Sequence, residues 1–140
     1  MSHRKYYNFT DKIRGDAFAR QQRKCAICAR DLADLEDRGH HVIPVQSGNP
    51  KDPQDDVIKT LENCVMLCVM CHDDVAHQGD TVSGVIPPPA YYKHSHGTSA
   101  ELSQKWSNAL GIHFDRIMNR KRSVGKTKHD TVKNSISNVR

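Results

Sequence analysis

Residues 62–72 read ENCVMLCVMCH, and the fold turns on this stretch. Cys68 and Cys71 have the C-x-x-C spacing that presents two sulfurs to one ion, and a second pair, Cys25 and Cys28 in CAIC, lies upstream. Zinc takes thiolates in a tetrahedron, so two such turns complete one shell if the chain returns on itself. The return is made by a hairpin-sized insertion, Ala29 to Leu67. One short strand is predicted over about His40 to Val45. A second, antiparallel to it, is predicted around Cys64 to Leu67, and a helix from near Cys68 through VMCHDDVAH. The expected ion is a structural Zn2+, since four cysteines leave no position open to water. Cys64, the fifth cysteine, reads as a small buried hydrophobe.

The rest of the chain is poor in core material. Of 140 residues, 36% are apolar and 6% aromatic, so a metal staple is the natural supplement to a small core. The predicted fold class is a small α+β domain, with flanking N- and C-terminal helices on a finger of two strands and a helix. The first helix is expected over Asn8 to Lys24, with Thr10 as its cap and Ile13, Ala17 and Phe18 on one face. SGNPKDPQDD reads as a loop, and GVIPPPAYY as extended chain, because its prolines cannot continue a helix. TSAE at Thr98 to Glu101 matches a capping box. Leu102, Trp106, Ala109, Leu110 and Ile117 then recur at helical spacing, which predicts a helix over about Ser99 to Arg120 with Trp106 in the core. The domain is expected to span 1–122, with the finger at 25–78 and a basic, mobile tail at 123–140.

Charge points to a partner. The chain carries a net +5, and residues 116–140 alone hold eight Lys or Arg against one acid, Asp130. A basic end of this kind reads as a footprint for nucleic acid. Arg20, Arg23, Lys24 and the run Arg120, Lys121, Arg122 are the candidate phosphate contacts. The N-terminus has no apolar signal-peptide core and CVMLCVMC is too short to cross a bilayer, so the chain reads as soluble, made in a cytosol and without a membrane partner.

Within the insertion lie His40, His41, Pro44 and Asn63, and His72 directly follows Cys71. HHVIP followed by ENCVMLCVMCH resembles the HNH nuclease superfamily, whose ββα-metal finger has the form (D/H)H-x-x-P … N … C-x-x-CH. The resemblance covers about Cys25 to His77. It implies a metal-dependent endonuclease acting on nucleic acid, most naturally double-stranded DNA, with low sequence specificity. His41 matches the general base and His40 the metal ligand before it. Asn63 matches the middle residue, which orients the base or helps hold the metal. His72 matches the last histidine, and His77 resembles the extra helix ligand of colicin-type nucleases. There the spacing is four residues and here it is five, a rotation of about 100° on the helix.

The chemistry requires such residues. Phosphodiester hydrolysis needs a group that takes a proton from water, which histidine does near neutrality. It also needs a Lewis acid at the phosphoryl group, here a divalent Mg2+, Mn2+ or Ni2+. The resemblance therefore implies that His41 stays metal-free with its second ring nitrogen held by a neighbour. Adjacent strand residues point to opposite faces, so His40 and His41 should sit where the strand ends, next to a loop such as DLEDRG.

GHH, CHDDVAHQGD and SHG are also similar to nuclease domains of bacterial polymorphic toxins and secreted effectors. That likeness implies an immunity protein as partner and delivery into a target cell. A free-standing phage or defence nuclease is the other context. The reading from a different class is a zinc-stapled nucleic-acid-binding module without catalysis. A redox sensor built on the cysteine pairs would leave His41 and Asn63 without a purpose.

Overall fold

The computed structural model describes residues 3–32, 38–80 and 86–125, with backbone alone at 3–4, 38, 75–80 and 121–125. It is a small α+β assembly of four helices and one two-stranded antiparallel sheet among those residues. A single-turn helix α1 (His3–Tyr6) leads to α2 (Asp11–Arg20). Strand β1 (Arg38–His41) pairs with β2 (Cys64–Leu67), and α3 (Val69–Asp80) follows at once. The long helix α4 (Ala100–Gly125) closes the fold. The predicted order of strand, strand and helix is therefore present.

The cap of α2 is Thr10, whose hydroxyl accepts from the Ile13 N–H at 3.1 Å. The helix is shorter than the predicted Asn8 to Lys24. It ends at Arg20 because Gln22 and Arg23 take φ of 58° and 62°, a left-handed turn that aims the chain into the first cysteine pair. Strand β1 also lies earlier than predicted. It stops at His41, and Val42 and Ile43 turn inward to the core instead of extending the strand to Val45. The loop SGNPKDPQDD and its surroundings are wound into short 3₁₀ turns, Val45–Ser47, Pro53–Lys59 and Leu61–Asn63. Another, Pro89–Tyr91, interrupts the stretch expected to be extended, its proline at the first position where no N–H is needed.

Three corrections concern α4. Ser99 rather than Thr98 caps it, its hydroxyl accepting from Leu102 N–H at 3.3 Å, while Thr98 donates to Gln22 Oε1. The buried stripe is Ser103, Trp106, Ser107, Leu110, Phe114 and Ile117, so Leu102 and Ala109 face solvent. The helix also runs on to Gly125, taking in the first positions of the expected tail; 126–140 lies outside the described residues.

A two-stranded ribbon is marginal in water. Here its free edge is covered by the end of α2. Buried Gln21 donates from Nε2 to Met66 O at 2.9 Å and accepts from Met66 N–H at 2.8 Å, pairing with β2 as a strand would. Arg20 donates to the carbonyls of Cys64 (2.7 Å), Leu61 (3.1 Å) and Ser95 (3.0 Å), with its guanidinium 5.8 Å from the Trp106 ring centroid. Trp106 is core, as predicted, and its indole N–H donates to Glu62 O at 2.7 Å.

The loop between the strands is anchored to α4 through Asp55. Its fully buried carboxylate takes hydrogen bonds from Arg120 (2.6 Å), Arg116 (3.0 Å) and Asn49 N–H (2.8 Å). Burial alone would raise the Asp55 pKa; these donors outweigh it and hold the carboxyl below its ordinary value. A group lowered on folding contributes stability above its unfolded pKa and loses it as pH falls through the folded one. Asp55→Asn is expected to lower the unfolding free energy at neutral pH by about 2 kcal/mol in urea titrations. The gap between variant and wild type should then close as the pH falls into the acid range.

Candidate metal and catalytic site

The first cysteine pair sits in a tight knuckle just past α2. Cys25 N–H donates to Arg30 O at 2.8 Å and Ala29 N–H to Cys25 O at 3.0 Å, with Ala29 itself at φ 65°. Ala26 N–H donates to Met66 O at 3.2 Å, which docks the knuckle on β2. The second pair spans the junction of β2 and α3. The sulfurs of Cys25, Cys28, Cys68 and Cys71 consequently all lie within 4.8 Å of one another. Cys28 Sγ and Cys68 Sγ are 3.9 Å apart, close to the edge of about 3.8 Å for a tetrahedron with Zn–S bonds of ~2.3 Å.

Backbone N–H groups are aimed at the same sulfurs: Cys68 N–H at Cys25 Sγ (3.4 Å) and Cys71 N–H at Cys68 Sγ (3.5 Å). Burial and then the neighbouring Cys25 push the Cys71 thiol up, so a cation is needed for the set to ionise together. The donor set fits a structural zinc. Cys64 is buried and is not part of this cluster. Cys68→Ser is expected to abolish a stoichiometric zinc and the cooperative thermal transition, whereas Cys64→Ala keeps the zinc. Elemental analysis and calorimetry of the two variants check this.

His40 and His41 end β1, opposite Val65 and Cys64 of β2. Their rings have different neighbours, as adjacent strand positions require. The His40 ring stands 5.9 Å from that of His72, on the first turn of α3, at 88°. Burial, followed by His72 and His41, pushes the His40 pKa down to about 3, so the imidazole is neutral, the form that binds metal. His72 Nδ1 is buried and has no hydrogen-bond partner among the described residues, its nearest acid, Asp73, lying at 3.6 Å. Two imidazole donors, one with an orphaned buried nitrogen, fit a divalent ion that keeps several water ligands. No third acid, cysteine or histidine joins them among the described residues. His77 lies on α3, but its side chain is outside the described residues.

The His41 ring is stacked on Phe9 at 3.9 Å and 13°, and its Nε2 lies 2.7 Å from the Tyr7 carbonyl oxygen. A carbonyl only accepts, so Nε2 carries the proton and Nδ1 of the neutral ring is the basic nitrogen. Tyr7 and Phe9 are both buried residues of the segment before α2, and sequence reasoning missed them. The aromatic run YYNF was their one visible trace, with no spacing to link it to His41. Asn63 is wholly buried. Its Oδ1 accepts from Ile43 N–H at 2.6 Å, and its Nδ2 donates to Ile43 O (3.1 Å) and Ile58 O (2.9 Å). It thus fixes the backbone two residues beyond His41 and is not positioned as a metal ligand.

The candidate phosphate contacts are divided. Arg20 is engaged by three carbonyls and the part-exposed Arg120 by the buried Asp55, so both of these candidates also serve the fold. Arg23 is exposed, with its guanidinium 5.5 Å from the Phe18 ring centroid, and Lys24 pairs with Asp31 at 2.9 Å. The side chains of Lys121 and Arg122 lie outside the described residues. No helix among the described residues is long and apolar enough to cross a membrane.

The family model of the HNH endonuclease matches residues 25–78, from the first zinc-type cysteine through most of α3. No curated protein and no solved structure matches the chain. The matched span holds the four clustered cysteines, both strands, and His40, His41, Asn63 and His72. The match to the HNH endonuclease family is thus confined to residues 25–78, the part of the chain that holds the clustered cysteines and the histidines.

Proposed function

We propose that this protein is a metal-dependent endonuclease that hydrolyses nucleic-acid phosphodiesters. The observation that carries the reading is the pairing at the end of β1. His41 is held by a carbonyl in a defined tautomer, and the adjacent His40 faces His72 across the start of α3. His40 and His72 would hold the catalytic ion, with His77 as a further ligand on the same helix. A divalent ion such as Mg2+, Mn2+ or Ni2+ supplies, when bound, Lewis-acid stabilisation of charge on the phosphoryl group and the departing 3′ oxygen.

In this reading His41 Nδ1 takes the proton of the attacking water. The Tyr7 carbonyl stabilises the imidazolium that results, since its lone pair already faces Nε2–H. Phe9 fixes the plane of the His41 ring by stacking against it. Asn63 holds the chain after His41 so that the ring and the ion-binding pair keep their separation. The preferred substrate is double-stranded DNA, bound through its phosphates with little sequence preference. Arg23, Lys24, Lys121 and Arg122 carry that contact together with the rest of the basic tail. A domain of this size fits a toxin or effector nuclease that meets an immunity protein, or a free-standing phage or defence nuclease.

Purified protein incubated with plasmid DNA is expected to nick it with Mg2+, Mn2+ or Ni2+ and not with EDTA. His41→Ala should lower the rate by about 10²–10⁴-fold, while zinc content, thermal stability and DNA retention on a gel stay at wild-type level. Binding without cleavage in the wild type, under every ion, would identify a zinc-stapled binding module instead.

A further inference from the structure

Tyr92 lies outside the HNH-matched span, in the turn between Pro89 and Gly97, yet its ring stands 5.9 Å from that of His40 at 40°. The turn is tied down on both sides. Tyr92 N–H donates to Pro89 O at 3.0 Å, and His94 N–H donates to Ala26 O at 2.8 Å, joining the turn to the zinc-type knuckle. Gly97 closes it at φ 64° against the Gln22 side chain, a place where any Cβ would collide. Tyr92 is thus a rigid side chain, 1% exposed.

Its hydroxyl is buried and has no hydrogen-bond partner among the described residues. A buried phenol without an acceptor is rare, and phenylalanine would fill the same space at no such cost. Together with His72 Nδ1 this makes two orphaned polar atoms on residues that both flank the His40 ring. One is a nitrogen that can accept or bind a cation, the other a hydroxyl that can donate or accept. A hydrated divalent ion satisfies both kinds at once, through the imidazoles directly and through a bound water for the phenol.

We propose that Tyr92 is a positioning residue of the cation site, its hydroxyl hydrogen-bonded to a water in the hydration shell of the ion that His40 and His72 hold. This rests on the reading of those two histidines as the cation pair. The finger would then be incomplete without the 89–97 turn, and the C-terminal part of the chain would contribute to metal affinity as well as to packing.

The test is Mn2+ titration into the full-length, zinc-loaded protein, with free Mn2+ counted by its electron paramagnetic resonance signal. Tyr92→Phe is expected to weaken Mn2+ binding about tenfold or more, with Tm unchanged or raised and zinc content unchanged. His40→Ala serves as the reference and should remove the Mn2+ site. If His40→Ala removes binding while Tyr92→Phe leaves it at wild-type affinity, the hydroxyl is not in the ion's shell and the proposal fails alone. A lowered Tm with unchanged Mn2+ affinity also overturns it, since the hydroxyl would then serve the fold. If wild type and His40→Ala bind Mn2+ equally, or neither binds it, the cation pair itself is wrong and Tyr92 falls with it.

Discussion

Four sulfurs drawn to one point join chain segments some forty residues apart, and the geometry of the site hangs on that junction. The strands between them are four residues each, too short to hold a register by their own ladder. The knuckle at Cys25 docks on Met66, and α3 starts from the second cysteine pair, so one ion would fix both the ribbon and the helix. His40 comes from the ribbon and His72 from the helix. Their rings face each other because the sulfur cluster sets the angle between those elements.

The cage is helped by side chains that imitate backbone. Gln21 makes with Met66 the pair of hydrogen bonds that a third strand would make, and Arg20 caps the neighbouring carbonyls. A buried amide or guanidinium in such a place costs desolvation, offset here by two acceptors for the Gln21 amide and three for the Arg20 guanidinium. This explains why a conspicuous arginine beside the finger is structural. It also explains why basic residues near a nucleic-acid-type motif cannot be assigned to phosphate by charge alone.

The segment before α2 contributes to the site from outside the finger. Tyr7 through its carbonyl and Phe9 through its ring determine which nitrogen of His41 is basic and where it points. A backbone carbonyl has no sequence signature, since any residue at position 7 would offer one. The same holds for the docking of the Pro89 to Gly97 turn, which depends on Gln22 and Ala26, residues distant from it along the chain.

The residues alone determined the local chemistry. The C-x-x-C pairs, the adjacent histidines, Asn63, the antiparallel strands, and the cap at Thr10 were legible because each rests on a spacing within one turn or one strand, or on a recurring motif. Tertiary structure decided what spacing cannot encode. It set the end of β1 at His41, the commitment of Arg20 and Arg120 to interior acceptors, the stripe of α4 that faces the core, and the approach of Tyr7, Phe9 and Tyr92 to the histidines. Those are contacts between distant segments, and they follow from the packing of the whole core rather than from any pattern along the chain.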